Sequence, residues 1–186
     1  MKIKTRDIVL AALFTALMVV GAYIKILFPV VPFSLQPFFC ALAGVILGSR
    51  LGALSQISYV ILGLAGVPVF TQGGGPLYVL KPTFGFLLGF ILAAYIIGRV
   101  SEALKSINFK NSFISVLCGL FAIYIVGIPY LYFILKFYLN KPDVTAMTAL
   151  SIGFFPFILK DLLLYIVTAV IAGTVVPQLK KAGLLT

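Results

Sequence analysis

Two consecutive charges, Lys160 and Asp161, stand inside the otherwise apolar run FFPFILKDLLLY over 154–165. A charge at the middle of a bilayer costs about 2.5–3.5 kcal/mol on insertion scales, so a pair kept in such a run faces a cavity or a partner. A carboxylate accepts N–H groups and an ammonium donates to oxygen, which suits a small polar ligand. Adjacent helix positions do not face each other, so no simple ion pair between the two is expected. The competing reading is that Lys160 snorkels to the outer interface while Asp161 caps the helix.

Two polar, irregular stretches accompany this pair. The first, PVVPFSLQP over 29–37, carries three prolines and Gln36, so it is stiff, extended and able to offer one side chain as both donor and acceptor. The second, GVPVFTQGGGPLYVLKPTFG over 66–85, sets Gly73, Gly74 and Gly75 in succession, with Phe70 before them and Tyr78 and Lys81 after. A glycine triplet is a flexible surface loop on one reading. On the other it lets backbone N–H groups approach a ligand. The Gly85–Gly89 pair that follows has the spacing by which helices pack closely in lipid.

These stretches must be held by something, and composition says what. The chain has 186 residues, 62% of them hydrophobic and 10% charged, too little polar surface for a soluble fold. Apolar segments run over 8–28, 38–48, 51–65, 83–99, 113–135 and 152–177, separated by Pro-, Gly- or Lys-bearing breaks. With about 20 residues per crossing, the expectation is one all-α membrane domain of six helices over 1–186. The segments 38–48 and 51–65 are short, so they are expected to tilt or to cross incompletely. Basic residues precede the first segment as in a secretory signal, but the segment is long enough to span, so a retained helix is expected.

Six crossings place both termini on one side. If that side is the cytoplasm, it receives nine of the fourteen basic residues; Lys25, Lys81, Lys136, Lys141 and Lys160 fall outside. The net charge of +10 is scattered rather than clustered, which argues against nucleic acid. Cys40 and Cys118 lack metal-type spacing, His is absent, and four acidic residues make a poor case for a catalytic centre. With no nucleotide-binding P-loop in the chain, any ATP dependence belongs to partners. Neither catalytic residues, nor a metal, nor a cofactor is therefore expected.

Three blocks carry a family resemblance: TRDIVLAALFTALMVVGAYIKI, PVVPFSLQPFFCALAGVILGSRLGALSQISYVILGLAGVPVF, and GGG followed by KPTFGFLLGF. Together they resemble BioY, the biotin-binding S component of energy-coupling factor (ECF) transporters. The likeness runs from about Thr5 to Phe90 and resumes near Gly153 to Ala172, more than half of the chain. It implies a six-helix S component in a prokaryotic cytoplasmic membrane. Such a subunit captures biotin from outside and docks on a transmembrane coupling subunit driven by two ATPases. It also implies that small residues on the first helix, here Ala12 and Ala16, meet the coupling subunit; packing within the bundle is the alternative.

Biotin needs an acceptor for its ureido N–H groups, a donor for its ureido oxygen, apolar walls for its rings, and a cation or N–H groups for its carboxylate. Asp161 is the expected acceptor. The family pattern Gly-Asp-Leu-Leu-Lys reads Lys160, Asp161, Leu162, Leu163, Leu164 here, so the lysine after the aspartate is missing and Lys160 or Lys81 must supply the cation. Gln36, Gln56, Tyr59, Tyr78 and Tyr165 are candidate lining groups and Phe70 a candidate wall. An S component for riboflavin or thiamin, a carrier working alone and a membrane-embedded enzyme are the other readings.

Overall fold

The computed structural model describes residues 4–26 and 30–181 of the chain. Helix α1 covers Thr5–Tyr23, and its first turn is closed by the Asp7 carboxylate, which accepts the Lys4 backbone N–H at 3.0 Å. It ends short of the expected residue 28 because the chain turns into a small antiparallel hairpin, β1 (Lys25–Ile26) with β2 (Phe33–Ser34). Leu27 and Phe28, the last positions of that expected helix, lie outside the described residues.

Helix α2, Gln36–Leu64, is interrupted at Gly48, whose φ of 79° and ψ of −178° no helix accommodates. The interruption reverses the chain. Gln36 Nε2 donates to the Tyr59 hydroxyl at 2.9 Å, although 23 residues of straight helix would separate them by roughly 35 Å. A methyl added at Gly52 would sit 3.1 Å from the Ala43 carbonyl oxygen. The two segments expected at 38–48 and 51–65 are thus the antiparallel arms of α2, joined without a loop. The first arm, 36–47, rises roughly 18 Å, less than the hydrocarbon thickness.

A loop with a 3₁₀ turn at Pro76–Leu80 leads to α3 (Phe84–Ala103), then α4 (Phe109–Phe133), which continues as a π-turn over Ile134–Tyr138. The Asn108 side chain caps α4 by accepting the Asn111 N–H at 2.9 Å. The short α5 (Ala146–Gly153), unforeseen from the sequence, precedes α6 (Phe155–Lys181). Helix α3 is wedged between α2 and α4. Its glycines permit this: a methyl at Gly89 would lie 2.9 Å from the Ile123 carbonyl oxygen, and one at Gly98 only 2.1 Å from the Ser49 nitrogen.

Fully buried Met18, Tyr59, Phe70, Ile97, Leu131 and Tyr165 fill the centre, while Ile61, Phe121, Ile125 and Leu163 point outward. An apolar exterior around an apolar core is what a bundle solvated by lipid requires. Among the described residues, five helices are long and apolar enough to span a bilayer. With α2 doubled back, the described chain passes between the two ends of the bundle six times. The start of α1, the Gly48 turn and the ends of α3 and α6 gather at one end, around a shared hollow. The β1–β2 hairpin, the 66–83 loop and α5 gather at the other.

Candidate functional site

A narrow cavity of about 530 Å³, counting its open mouth, lies at the second end. The first loop gives it Val31, Pro32 and Ser34, and the start of α2 gives Gln36 and Pro37. The second loop contributes Thr71, Tyr78 and Thr83, and α3 contributes Phe86, Leu87 and Phe90. Ile123 and Tyr124 of α4, Gly153 at the end of α5, and Phe157, Lys160 and Asp161 of α6 complete it. Aromatic and aliphatic walls with a few converging polar groups are the pattern of a small-molecule site.

The polar centre is Asp161, 5% exposed. It lies six residues inside α6, so it is no helix cap. Its Oδ2 accepts the Tyr124 hydroxyl at 2.6 Å. Its Oδ1 is 2.8 Å from Lys160 Nζ, so the two consecutive charges do pair, contrary to the expectation from helix geometry. The four-carbon lysine stem explains the difference: it curls inward, placing the ammonium 5.3 Å from the Phe33 ring centre and 5.7 Å from that of Phe157. There it also donates to the Ser34 carbonyl at 3.1 Å, so Lys160 turns away from the interface instead of snorkelling. The ammonium approaches Oδ1 off the direction of a hydrogen bond, and Oδ1 accepts none within the protein. A buried carboxylate oxygen at a cavity wall thus keeps its capacity to accept an N–H group.

A second polar chain braces the floor. Ser34 Oγ donates to Gln36 Oε1 at 3.0 Å, Gln36 donates to Tyr59, and the Tyr59 hydroxyl donates to the Val69 carbonyl at 2.8 Å. Gln36 therefore lines the cavity, while Tyr59 stands one layer behind it, edge-on to Phe70. Tyr78 lines the cavity with its hydroxyl 3.3 Å from that of Thr71 and 3.4 Å from that of Thr83. The two loops at this end are stitched together where Tyr23 donates to the Pro68 carbonyl at 2.5 Å and Lys25 to that of Thr71.

The other expected residues fall outside the lining. Lys81 donates to the Gln72 carbonyl at 2.9 Å and rides over the Tyr78 ring. Gln56 is buried beside Ser55, to which it donates at 3.0 Å, and Tyr165 is buried one turn beyond Asp161. The glycine triplet closes a turn against the end of α2: Gly73 and Gly75 donate to the Phe70 and Gly63 carbonyls, and a methyl at Gly74 would collide with the Val67 carbonyl oxygen at 2.2 Å. Sequence reasoning missed Tyr124, Thr71, Thr83 and Phe157. Tyr124 sits in an aromatic-aliphatic run with no polar neighbour to mark it. On α1, Ala12 and Ala16 are exposed and line a shallow groove with Leu54, Ser58 and Leu62 of the second α2 arm.

The family model described as the BioY family matches residues 1–181. The chain belongs to the BioY family. Within BioY, it is 46% identical over 169 residues to a probable biotin transporter of Lysinibacillus sphaericus, covering 91% of this chain and 86% of that protein. It is 42% identical over 168 residues to the biotin transporter of Thermotoga maritima, covering 90% and 94%. Among solved structures, it matches the crystal structure of the S-component for biotin from an ECF-type ABC transporter. The TM-score is 0.77 at 28% identity, with 94% of this chain and 90% of that one covered. The helical bundle is therefore the S-component fold of a multi-pass membrane protein.

Proposed function

We propose that this BioY chain captures biotin in the cavity around Asp161 and delivers it as the S component of an ECF transporter. The observation that carries the reading is the Asp161 carboxylate, buried at the cavity wall between Tyr124 and Lys160, with an Oδ1 that accepts no hydrogen bond from the protein. Biotin's ureido N–H groups meet that oxygen, and Lys160 beside it donates to the ureido oxygen. Phe86, Phe90 and Phe157 enclose the fused rings. The Thr71, Tyr78 and Thr83 hydroxyls offer donors to the valerate carboxylate, with Lys81 the nearest cation of the loop behind them.

The remainder of the cycle uses partners. Both termini face the cytoplasm, which puts Arg6, Arg50, Arg99, Lys105 and Lys110 inside. A transmembrane coupling subunit seats against Ala12 and Ala16, where small side chains permit close helix contact, and two ATPase subunits drive reorientation. Titration calorimetry of the purified chain in detergent tests the capture step, with riboflavin and thiamin as competitors. Tight biotin binding that neither vitamin displaces, lost on Asp161→Asn in a folded protein, supports the reading. Unchanged binding by that variant removes the site, and displacement by another vitamin removes the ligand.

A further inference from the structure

At the end of the bundle remote from the Asp161 cavity, the start of α1, the α2 turn, α3 and α6 enclose a second hollow of about 1010 Å³, counting its open mouth. Its lining combines the polar Arg6, Asp7, Ser101, Glu102 and Lys105 with the apolar Leu10, Ile46, Leu47 and Leu51.

Both acids are already engaged. Asp7 closes the first turn of α1. Glu102 accepts the Ser49 N–H at 2.8 Å and its hydroxyl at 3.0 and 3.1 Å, and Arg99 stands 3.8 Å away. The cations are not matched in this way. Among the described residues neither Arg6 nor Lys105 forms an ion pair with a carboxylate. The Nε of Arg6 is shut off from solvent and meets no acceptor. A buried donor left without a partner is uncommon, and with a second cation, Lys105, lining the same hollow an anion is the missing piece.

The apolar part of the lining narrows the kind of anion. A soluble inorganic ion gains nothing from Leu10, Ile46 and Leu51. An amphiphile at the membrane surface lays its acyl chains there while its phosphate meets the guanidinium. We propose that this hollow seats the headgroup of an anionic phospholipid, with Arg6 and Lys105 holding its phosphate and the Ser101 hydroxyl adding a donor.

Native mass spectrometry of the detergent-purified full chain, with phosphatidylglycerol or phosphatidylcholine added at equal concentration, tests this. The parent retains one phosphatidylglycerol in preference to phosphatidylcholine. Arg6→Gln and Lys105→Gln each weaken that preference by roughly fivefold, and the double variant by roughly 25-fold. Lys110→Gln, an exposed cation beyond the hollow, leaves it unchanged. Unaltered melting temperature and gel-filtration profile show that the variants are folded. Equal retention of the two lipids by the parent overturns the proposal, as does a preference that survives the double variant. Displacement of the lipid by millimolar inorganic phosphate assigns the hollow to a free anion and equally overturns it.

Discussion

The Tyr124 hydroxyl donates to Oδ2 of Asp161 at 2.6 Å, across the interface between α4 and α6. This contact occupies Oδ2 and leaves Oδ1 as the oxygen with no hydrogen bond from the protein, the one that the proposed site offers to a ligand. Tyr124→Phe keeps the ring, edge-on to Phe154 and Phe86, and removes only the donor. Biotin affinity is expected to fall roughly tenfold, and Asp161→Asn to lower it further, by roughly 100-fold, the range for a hydrogen bond to a charged group. Calorimetry on the two variants checks the order; equal losses would mean that Tyr124 touches the ligand itself.

Lys160→Met retains the stem between the Phe33 and Phe157 rings but strips Asp161 of its counter-charge. Removing one partner of a buried pair is far more damaging than replacing both. The single variant is expected to lose about 1–3 kcal/mol, and Lys160→Met with Asp161→Asn to recover most of it. Melting temperatures in one detergent decide the matter. Because Lys160 also holds the Ser34 carbonyl, the single variant should release biotin several-fold faster, measurable with a labelled ligand in a chase experiment.

Gly98 allows α3 to touch the backbone of the α2 turn, with the Ser49 nitrogen 2.1 Å from where a methyl would stand. Gly98→Ala forces backbone to move, and a cost of about 1–3 kcal/mol is expected. At Gly66, where φ is +106° but the space is open, alanine should cost about 1–2 kcal/mol through backbone strain alone. Thermal unfolding of both proteins separates the two effects, since only the first should also loosen the α2–α3 contact seen by hydrogen exchange.

Ala12→Leu with Ala16→Leu fills the groove between α1 and the second α2 arm. Biotin binding by the isolated chain should be untouched, because the groove shares no residue with the cavity. Co-purification with the coupling subunit and biotin uptake into vesicles should both be lost. Loss of binding by the isolated chain would instead mark these alanines as internal packing.

What the sequence made legible follows from energetic cost. Lys160 and Asp161 announced themselves because charge in an apolar run demands a reason, and Gln36 stood out in a proline-rich loop. Tyr124 was illegible because a tyrosine among Phe, Ile and Val looks like core until its hydroxyl is seen to meet a carboxylate. The glycine triplet misled in the other direction: three small residues fit a ligand cradle and a tight backbone crossing equally well, and only the Val67 carbonyl beside Gly74 tells them apart. The pairing of Lys160 with its own neighbour also escaped a rule written for the directions of Cβ atoms, since four methylenes outreach that constraint. The break between the segments ending at Gly48 and beginning at Leu51 was readable, and with it the count of six passages; that the turn is made by Gly48 alone, with Ser49 and Arg50 already in the second arm, was not.

That reversal has a consequence for the whole second half of the chain. Were 36–64 a single straight rod, the count of passages would be odd, and α3 to α6 would enter the bilayer upside down, their lysines and Asp161 facing the opposite compartment. The turn at Gly48 thus gives the described chain an even number of passages. Reporter fusions placed after Leu64 and after Tyr23 would read that parity directly, both reporting the same side of the membrane.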